Sequence, residues 1–231
     1  MSRISIIIPA YNEEKIIKDT VDAFKSQGYH DKEVVVVVNN TIDATCEVAK
    51  KCADKVLEYK KNIGVCAARN RGVEESTGDI LFFVDADTRI SENMLLRISE
   101  MTDENTFGST LGRGDNNSIK GKLFFFFKNW THRMGIYQGV VDGVLFCHKK
   151  LFLKAGGFNE KLKIAEFNDF ISKVKKAGGK YKLLTDCYSI VSLRRYEEKG
   201  YANIMFFWLA WKIKNVFKKD KKMSGEYFSK K

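Results

Sequence analysis

Apolar positions follow two rhythms over the first ninety residues. Residues 4–8, 34–38, 56–59 and 80–84 are short, nearly continuous apolar runs, the pattern of strands buried on both faces. Between them the period lengthens to that of a helix. Residues 13–26 set Ile17, Val21 and Phe24 along one face. After Thr41, a candidate helix cap, Ala44, Val48 and Cys52 share another. Residues 64–75 gather Ala67, Ala68 and Gly72, small enough for close packing. This alternation predicts an α/β fold, a mostly parallel sheet with helices on both faces. Ligands of such sheets bind beyond the carboxyl ends of the strands. All four runs end there in polar or turn residues: Pro9-Ala10-Tyr11-Asn12, Asn39-Asn40, Asn62, and Asp85-Ala86-Asp87.

The second half is less regular. Helices are expected at 91–101, at 149–155 (stopped by Gly156-Gly157) and at 166–177 (ended by Gly178-Gly179). Strands are expected at 142–147, 181–184 and 189–193. Residues 103–118 are polar and contain glycine, which reads as a mobile loop. Residues 123–130 are aromatic-rich, with four consecutive phenylalanines from Phe124. Pro9 is the single proline, so no linker is marked, and no internal repeat is visible.

Asp85-Ala86-Asp87 carries the most chemistry. Two carboxylates one residue apart, at the end of a buried strand, suit a divalent cation shared with a diphosphate. Oxygen ligands favour Mg²⁺ or Mn²⁺. The same triplet also serves as an ordinary turn, so the other motifs must decide. Five cysteines, an odd number with no Cys-x-x-Cys pair, read as buried reduced thiols rather than a zinc site or a disulfide framework.

These motifs, in this order, resemble glycosyltransferase family 2, whose members have the GT-A fold. Residues 5–14, from Ser5-Ile6-Ile7-Ile8-Pro9 through Glu14, resemble its opening strand and nucleotide-contact loop. Val38-Asn39-Asn40-Thr41-Ile42-Asp43-Ala44-Thr45 resembles its second motif. Asn62-Ile63-Gly64 with Ala68-Arg69-Asn70-Arg71-Gly72 resembles its third, and Asp85-Ala86-Asp87 stands where its metal motif belongs. Gly156-Gly157-Phe158-Asn159-Glu160 and Glu166-Phe167-Asn168-Asp169 resemble its acceptor-side segment. The resemblance spans roughly residues 3–196. It implies a GT-A domain at 1–196, with a nucleotide-binding half (1–90) and an acceptor half (91–196).

It also implies an inverting transfer from a UDP- or GDP-linked sugar. Pro9, Ala10, Tyr11, Glu13, Asn39, Arg69, Asp85 and Ala86 would hold the nucleotide sugar, and Asp87 with Asp85 the metal. The paired Arg194 and Arg195 would grip diphosphate oxygens. Two positions depart from the family pattern. Asn39 stands where an aspartate is common, which leaves the base, uracil or guanine, open. Phe167 stands where the general base is usual. Either Glu166 or Asp169 serves as base from a shifted position, or the acceptor is an already ionised phosphate such as a polyprenyl phosphate, or the protein binds donor without turning it over. Glu166 and Asp169 also suit a helix N-terminus simply as charge. His132, in the aromatic segment, can be an acceptor contact or a structural histidine.

The formal net charge is +11. Residues 212–231 hold eight lysines against Asp220 and Glu226, so much of the excess sits in a basic tail at 197–231. Residues 201–217 add Phe206, Phe207, Trp208, Leu209, Trp211, Ile213 and Phe217, the composition of an interfacial helix. A peripheral contact at the cytoplasmic face of a membrane is expected, near a lipid-linked or glycan acceptor. No signal peptide is visible, and no apolar run reaches the roughly 20 residues of a membrane span. No nucleic-acid-binding signature accompanies the lysines. A nucleotidyltransferase is the remaining alternative, but the Gly-rich basic loop such enzymes use is not seen.

Overall fold

The computed structural model describes residues 2–135, 143–163, 165–201 and 203. In chain order these form β1 (Ile4–Ala10), α1 (Ile17–Lys25), β2 (Lys32–Asn39), α2 (Thr45–Cys52), β3 (Lys55–Tyr59), α3 (Val65–Glu74), β4 (Ile80–Phe83) and β5 (Arg89–Ile90). There follow α4 (Met94–Met101), β6 (Thr106–Gly114), α5 (Ile119–Arg133), β7 (Leu145–His148), α6 (Lys149–Lys154), α7 (Glu166–Lys176), β8 (Lys180–Val191) and α8 (Arg194–Lys199). The strands make one sheet in the order β3-β2-β1-β4-β7-β6-β8-β5. Strands β1 to β4 are mutually parallel, and β7 runs against both β4 and β6.

The apolar runs become central strands because both their faces are covered. Successive side chains of a strand point to opposite faces. Ile4, Ile6 and Ile8 of β1, with Val34, Val36 and Val38 of β2, pack on α1, α2 and α4. Ile7, Leu81 and Phe83 pack instead on α3, α6 and α7. Helix α3 lies tight against the sheet because Gly72 lacks a side chain. A Cβ there would sit 2.5 Å from Cγ2 of Ile7 and 3.2 Å from Cγ2 of Val37.

Residues 103–118 depart most from expectation. They are not a loop but contain β6, buried from Thr106 to Gly112. Its polar residues are small and satisfied, as where the Ser109 hydroxyl donates to the Val144 carbonyl at 2.9 Å. Gly108 lets the β8 backbone and the Phe146 ring come closer than any side chain would allow. A buried strand therefore carries a loop-like composition. The two strands expected at 181–184 and 189–193 are one, β8. The pairing with β6 steps from Thr110–Leu184 to Leu111–Tyr188, leaving residues 185–187 as a bulge. Helix α1 starts at Ile17, after a turn in which the Glu13 carbonyl accepts from the Ile16 and Ile17 amides. Thr41 does not cap α2, which has no side-chain cap; its hydroxyl is turned to Asn12 and Asp43. The four phenylalanines lie on α5. The expected helix at 201–217 falls outside the described residues apart from Tyr201 and Asn203, and so does the basic tail beyond residues 197–201 and Asn203.

Candidate active site

Parallel pairing brings the ends of β1 to β4 to one edge of the sheet. The loops after β1 and β2 are tied together there. Asn12, at φ +54°, accepts through Oδ1 from the Ile42 amide at 3.1 Å. The Glu13 amide donates to the Thr45 hydroxyl at 2.8 Å, the Glu14 amide to Asp43 at 3.2 Å, and the Ala44 amide to Glu14 at 3.0 Å. Partial burial pushes the Asp43 carboxyl up. The hydroxyls of Thr41 and Thr45, with the Thr45 and Glu14 amides, outweigh it and hold the group at about 2. At this edge Tyr11 is 45% exposed while Ala10, before it, is buried.

Asn39 closes the neighbouring loop. Its Nδ2 donates to Asn62 Oδ1 at 3.1 Å and its Oδ1 accepts from the Ile63 amide at 2.9 Å. Asn62 Oδ1 also accepts from the Gly64 amide at 2.9 Å. An aspartate at 39 would keep the second bond and lose the first, so asparagine is matched to Asn62.

The charged centre lies beside β4. Arg69, on α3, has 2% of its side chain exposed. One terminal nitrogen meets Asp85 Oδ1 at 2.9 Å and the other meets Glu166 Oε1 at 3.0 Å. Residues far apart in sequence thus share one buried guanidinium. The Phe167 ring covers it, with the guanidinium carbon 4.3 Å from the ring centroid. Phe167 itself stands edge-on to Phe158 at 5.5 Å, so the position has become part of the aromatic packing under the site. Partial desolvation pushes the half-exposed Asp85 carboxyl above the ordinary aspartate range. Arg69 opposes that shift, while Asp87 and Glu166 add to it. Gly143, at φ +81°, lies so close that a Cβ there would overlap the Asp85 carboxylate. Asp87 is exposed on the turn that follows, and this turn is anchored by the Thr20 hydroxyl donating to the Ala86 carbonyl at 2.6 Å.

Of the two candidate bases, Glu166 joins this centre. Asp169 is 9% exposed and faces Lys173 at 3.5 Å. Arg194 and Arg195 open α8, and only their backbone is described. Strand β8 runs parallel to β6, and through β7 parallel to β4, so α8 begins at the same edge of the sheet as Asp85. Three strand spacings, roughly 14 Å, separate the two across the sheet. His132 is buried on α5. The five cysteines are free thiols, four buried and Cys52 half-buried. Three contributors were not singled out from sequence. Asp43 and Asn70 lie inside the second and third motifs but were given no role there; Asn70 grips the Phe158 backbone through bonds of 3.0 Å at both amide and carbonyl, and Gly143 left no local signal.

The four parallel strands thus present Asp85 and Asp87 at the carboxyl edge of the sheet, with Arg69 and Glu166 beside them. The model of Glycosyl transferase family 2 matches residues 5–155. The chain belongs to that family. It is 38% identical over 101 residues to glycosyltransferase AglE of Haloferax volcanii, covering 41% of this chain and 33% of AglE. It is 32% identical over 106 residues to the uncharacterized glycosyltransferase EpsJ of Bacillus subtilis, covering 44% of this chain and 31% of EpsJ. The chain thus spans about a third of the length of these curated relatives. Among solved structures, the mannosyltransferase PcManGT from Pyrobaculum calidifontis, in complex with GDP-Man and Mn²⁺, superposes with a TM-score of 0.70 at 20% identity, covering 82% of this chain and 56% of PcManGT. S. aureus TarS 1-349 with UDP-GlcNAc superposes at 0.65 and 21% identity, covering 81% of this chain and 58% of that one. The GT-A fold expected from the resemblance is borne out.

Proposed function

We propose that this chain transfers one glycosyl unit, with inversion, from a UDP- or GDP-linked sugar to a lipid-linked or glycan acceptor. The observation that carries this reading is the buried Arg69 holding Asp85 and Glu166 together beside exposed Asp87. Tyr11 offers an exposed ring to the base, and Pro9, Ala10, Glu13, Asn39 and Ala86 frame the nucleotide. The donors in the related structures, GDP-Man and UDP-GlcNAc, support the donor class.

The residues present fit a divalent cation. Among the described residues no cluster of three or more His, Cys, Asp or Glu forms a ready cage. Mg²⁺ is commonly held by one or two carboxylates together with substrate phosphates, and Asp87 and Asp85 are such a pair. A bound Mg²⁺ or Mn²⁺ would offset negative charge on the departing diphosphate. Arg69 fixes Asp85 and keeps Glu166 from drifting. Glu166 takes the proton of an acceptor hydroxyl as its oxygen bonds the sugar carbon and the bond from that carbon to the diphosphate breaks. Phe167 takes no proton; it covers the guanidinium. Arg194 and Arg195 are assigned to the diphosphate, and the tail at 197–231 to peripheral contact with the cytoplasmic face of a membrane.

The test is release of UDP or GDP from donor sugars supplied with Mn²⁺ and water as acceptor. Asp87→Ala should slow release by about 100-fold or more. Wild-type rates in that variant would sink the metal assignment. Because Phe167 occupies the usual base position, a second reading is a donor-binding protein. Tight donor binding with no release on any acceptor would favour it.

A further inference from the structure

Helix α5 is amphipathic the wrong way round for a helix that meets only water. Its inner side is narrow: Gly121, Phe125 and His132 are buried, and Asn129 exchanges hydrogen bonds of 2.9 and 2.8 Å with the backbone of Gly112. Its outer side is a stripe at helical spacing made of Ile119, Leu123, Phe126, Phe127, Trp130 and Met134, each between 49% and 83% exposed. Lys120, Lys122 and Arg133 flank the stripe, Lys128 turns inward over the Phe124 and Phe125 rings, and the helix carries no acidic residue. A cavity of about 210 Å³ opens at its inner edge, with Arg113, Lys122 and Phe126 among its walls.

We propose that this face of α5 docks on an anionic lipid surface, separately from the contact assigned to the tail. The aromatics would enter the headgroup region while the cations meet lipid phosphates. Charge selects this occupant. A second copy of the chain would set basic α5 against basic α5. The chain's own segment from Lys212 onward carries Lys212, Lys214 and Lys218 beside Ile213 and Phe217 and would add like charge to like. Tyr201 packs on the inner side of α5, its ring 5.6 Å from Phe124, and leaves the stripe uncovered. Among the described residues no helix is long and apolar enough to cross a membrane, and α5 at 15 residues lies on a surface rather than spanning it. It begins after the end of β6, a strand parallel to β4, and so at the catalytic edge, where an acceptor carried in the lipid would arrive. Only this last step rests on the proposed activity.

The experiment is sedimentation of the full chain with vesicles of phosphatidylcholine alone and of phosphatidylcholine mixed with phosphatidylglycerol, which requires no donor or acceptor. Wild type should pellet with the anionic vesicles. The triple variant Phe126→Ser, Phe127→Ser, Trp130→Ser should lose at least about tenfold in vesicle affinity, as three rings no longer leave water, with an unchanged melting temperature. Lys120→Glu with Lys122→Glu should weaken binding to the anionic vesicles several-fold and leave binding to phosphatidylcholine alone unchanged. The proposal is overturned if the triple variant pellets like wild type, if wild type pellets with neither vesicle or equally with both, or if wild type is a dimer that the triple variant splits.

Discussion

Arg69→Met should expose how much of the site rests on one cation. The methionine fills most of the arginine stem, so the chief loss is the charge shared by Asp85 and Glu166 at 2.9 and 3.0 Å. Removing one partner of a buried ion pair costs about 3–5 kcal/mol. Asp85 keeps 42% of its side chain exposed and Glu166 18%, so water relieves part of the penalty. We expect about 3 kcal/mol, or a melting temperature lower by roughly 6–12 °C for a chain of this size. The deficit has a pH signature. Asp85 already sits above its ordinary value, and without Arg69 it rises further. A carboxyl raised in the folded state destabilises the fold when it ionises, so the deficit is largest at pH 8 and shrinks as pH falls toward the ordinary aspartate range. Thermal melts of wild type and variant from pH 8 to pH 5 measure both effects. A variant that melts with wild type at pH 8, or a deficit that grows on acidification, refutes the reasoning.

Three further outcomes follow from the same contacts. Glu166→Gln should lower kcat for a hydroxyl acceptor by about 100-fold or more with donor affinity retained, while Asp169→Asn lowers it little; equal losses would move the base to Asp169 or to neither. Asp43, held at about 2 against an ordinary 3.8, adds stability above pH 4 that is lost as pH falls to 2; Asp43→Asn should flatten that acid limb in a pH titration of unfolding. Gly143→Ala should cost about 1–3 kcal/mol through its positive φ and weaken metal-dependent donor binding, because the new methyl meets the Asp85 carboxylate; binding at wild-type strength would show that the loop yields.

How far the sequence could be read depended on whether a residue's partners were local. The four parallel strands were legible because burial on both faces leaves an uninterrupted apolar run, and their polar ends marked the edge where the charged residues gather. Strand β6 was illegible for the opposite reason: glycine, serine and threonine fit a crowded sheet interior yet read as loop. Phe167 looked like a lost base, and only the fold shows what it gained, a guanidinium beneath its ring. The motif of Arg69 implied a nucleotide contact, but not its ion partners, which lie 16 and 97 residues away. Helix α5 hid within four phenylalanines, whose division into an inner and an outer side depends on the strands beneath them.

The most direct test of the account is donor binding with and without metal. Melting of the pure chain should be followed with UDP, GDP and their sugar conjugates, each with and without Mn²⁺, alongside Asp87→Ala. At a ligand concentration about 100 times its dissociation constant, binding adds roughly 2.7 kcal/mol, a rise of about 5–10 °C. Such a rise is expected with one nucleotide in the presence of Mn²⁺, and it should be lost in Asp87→Ala. No rise with any nucleotide, or the same rise without metal and in the variant, would contradict it.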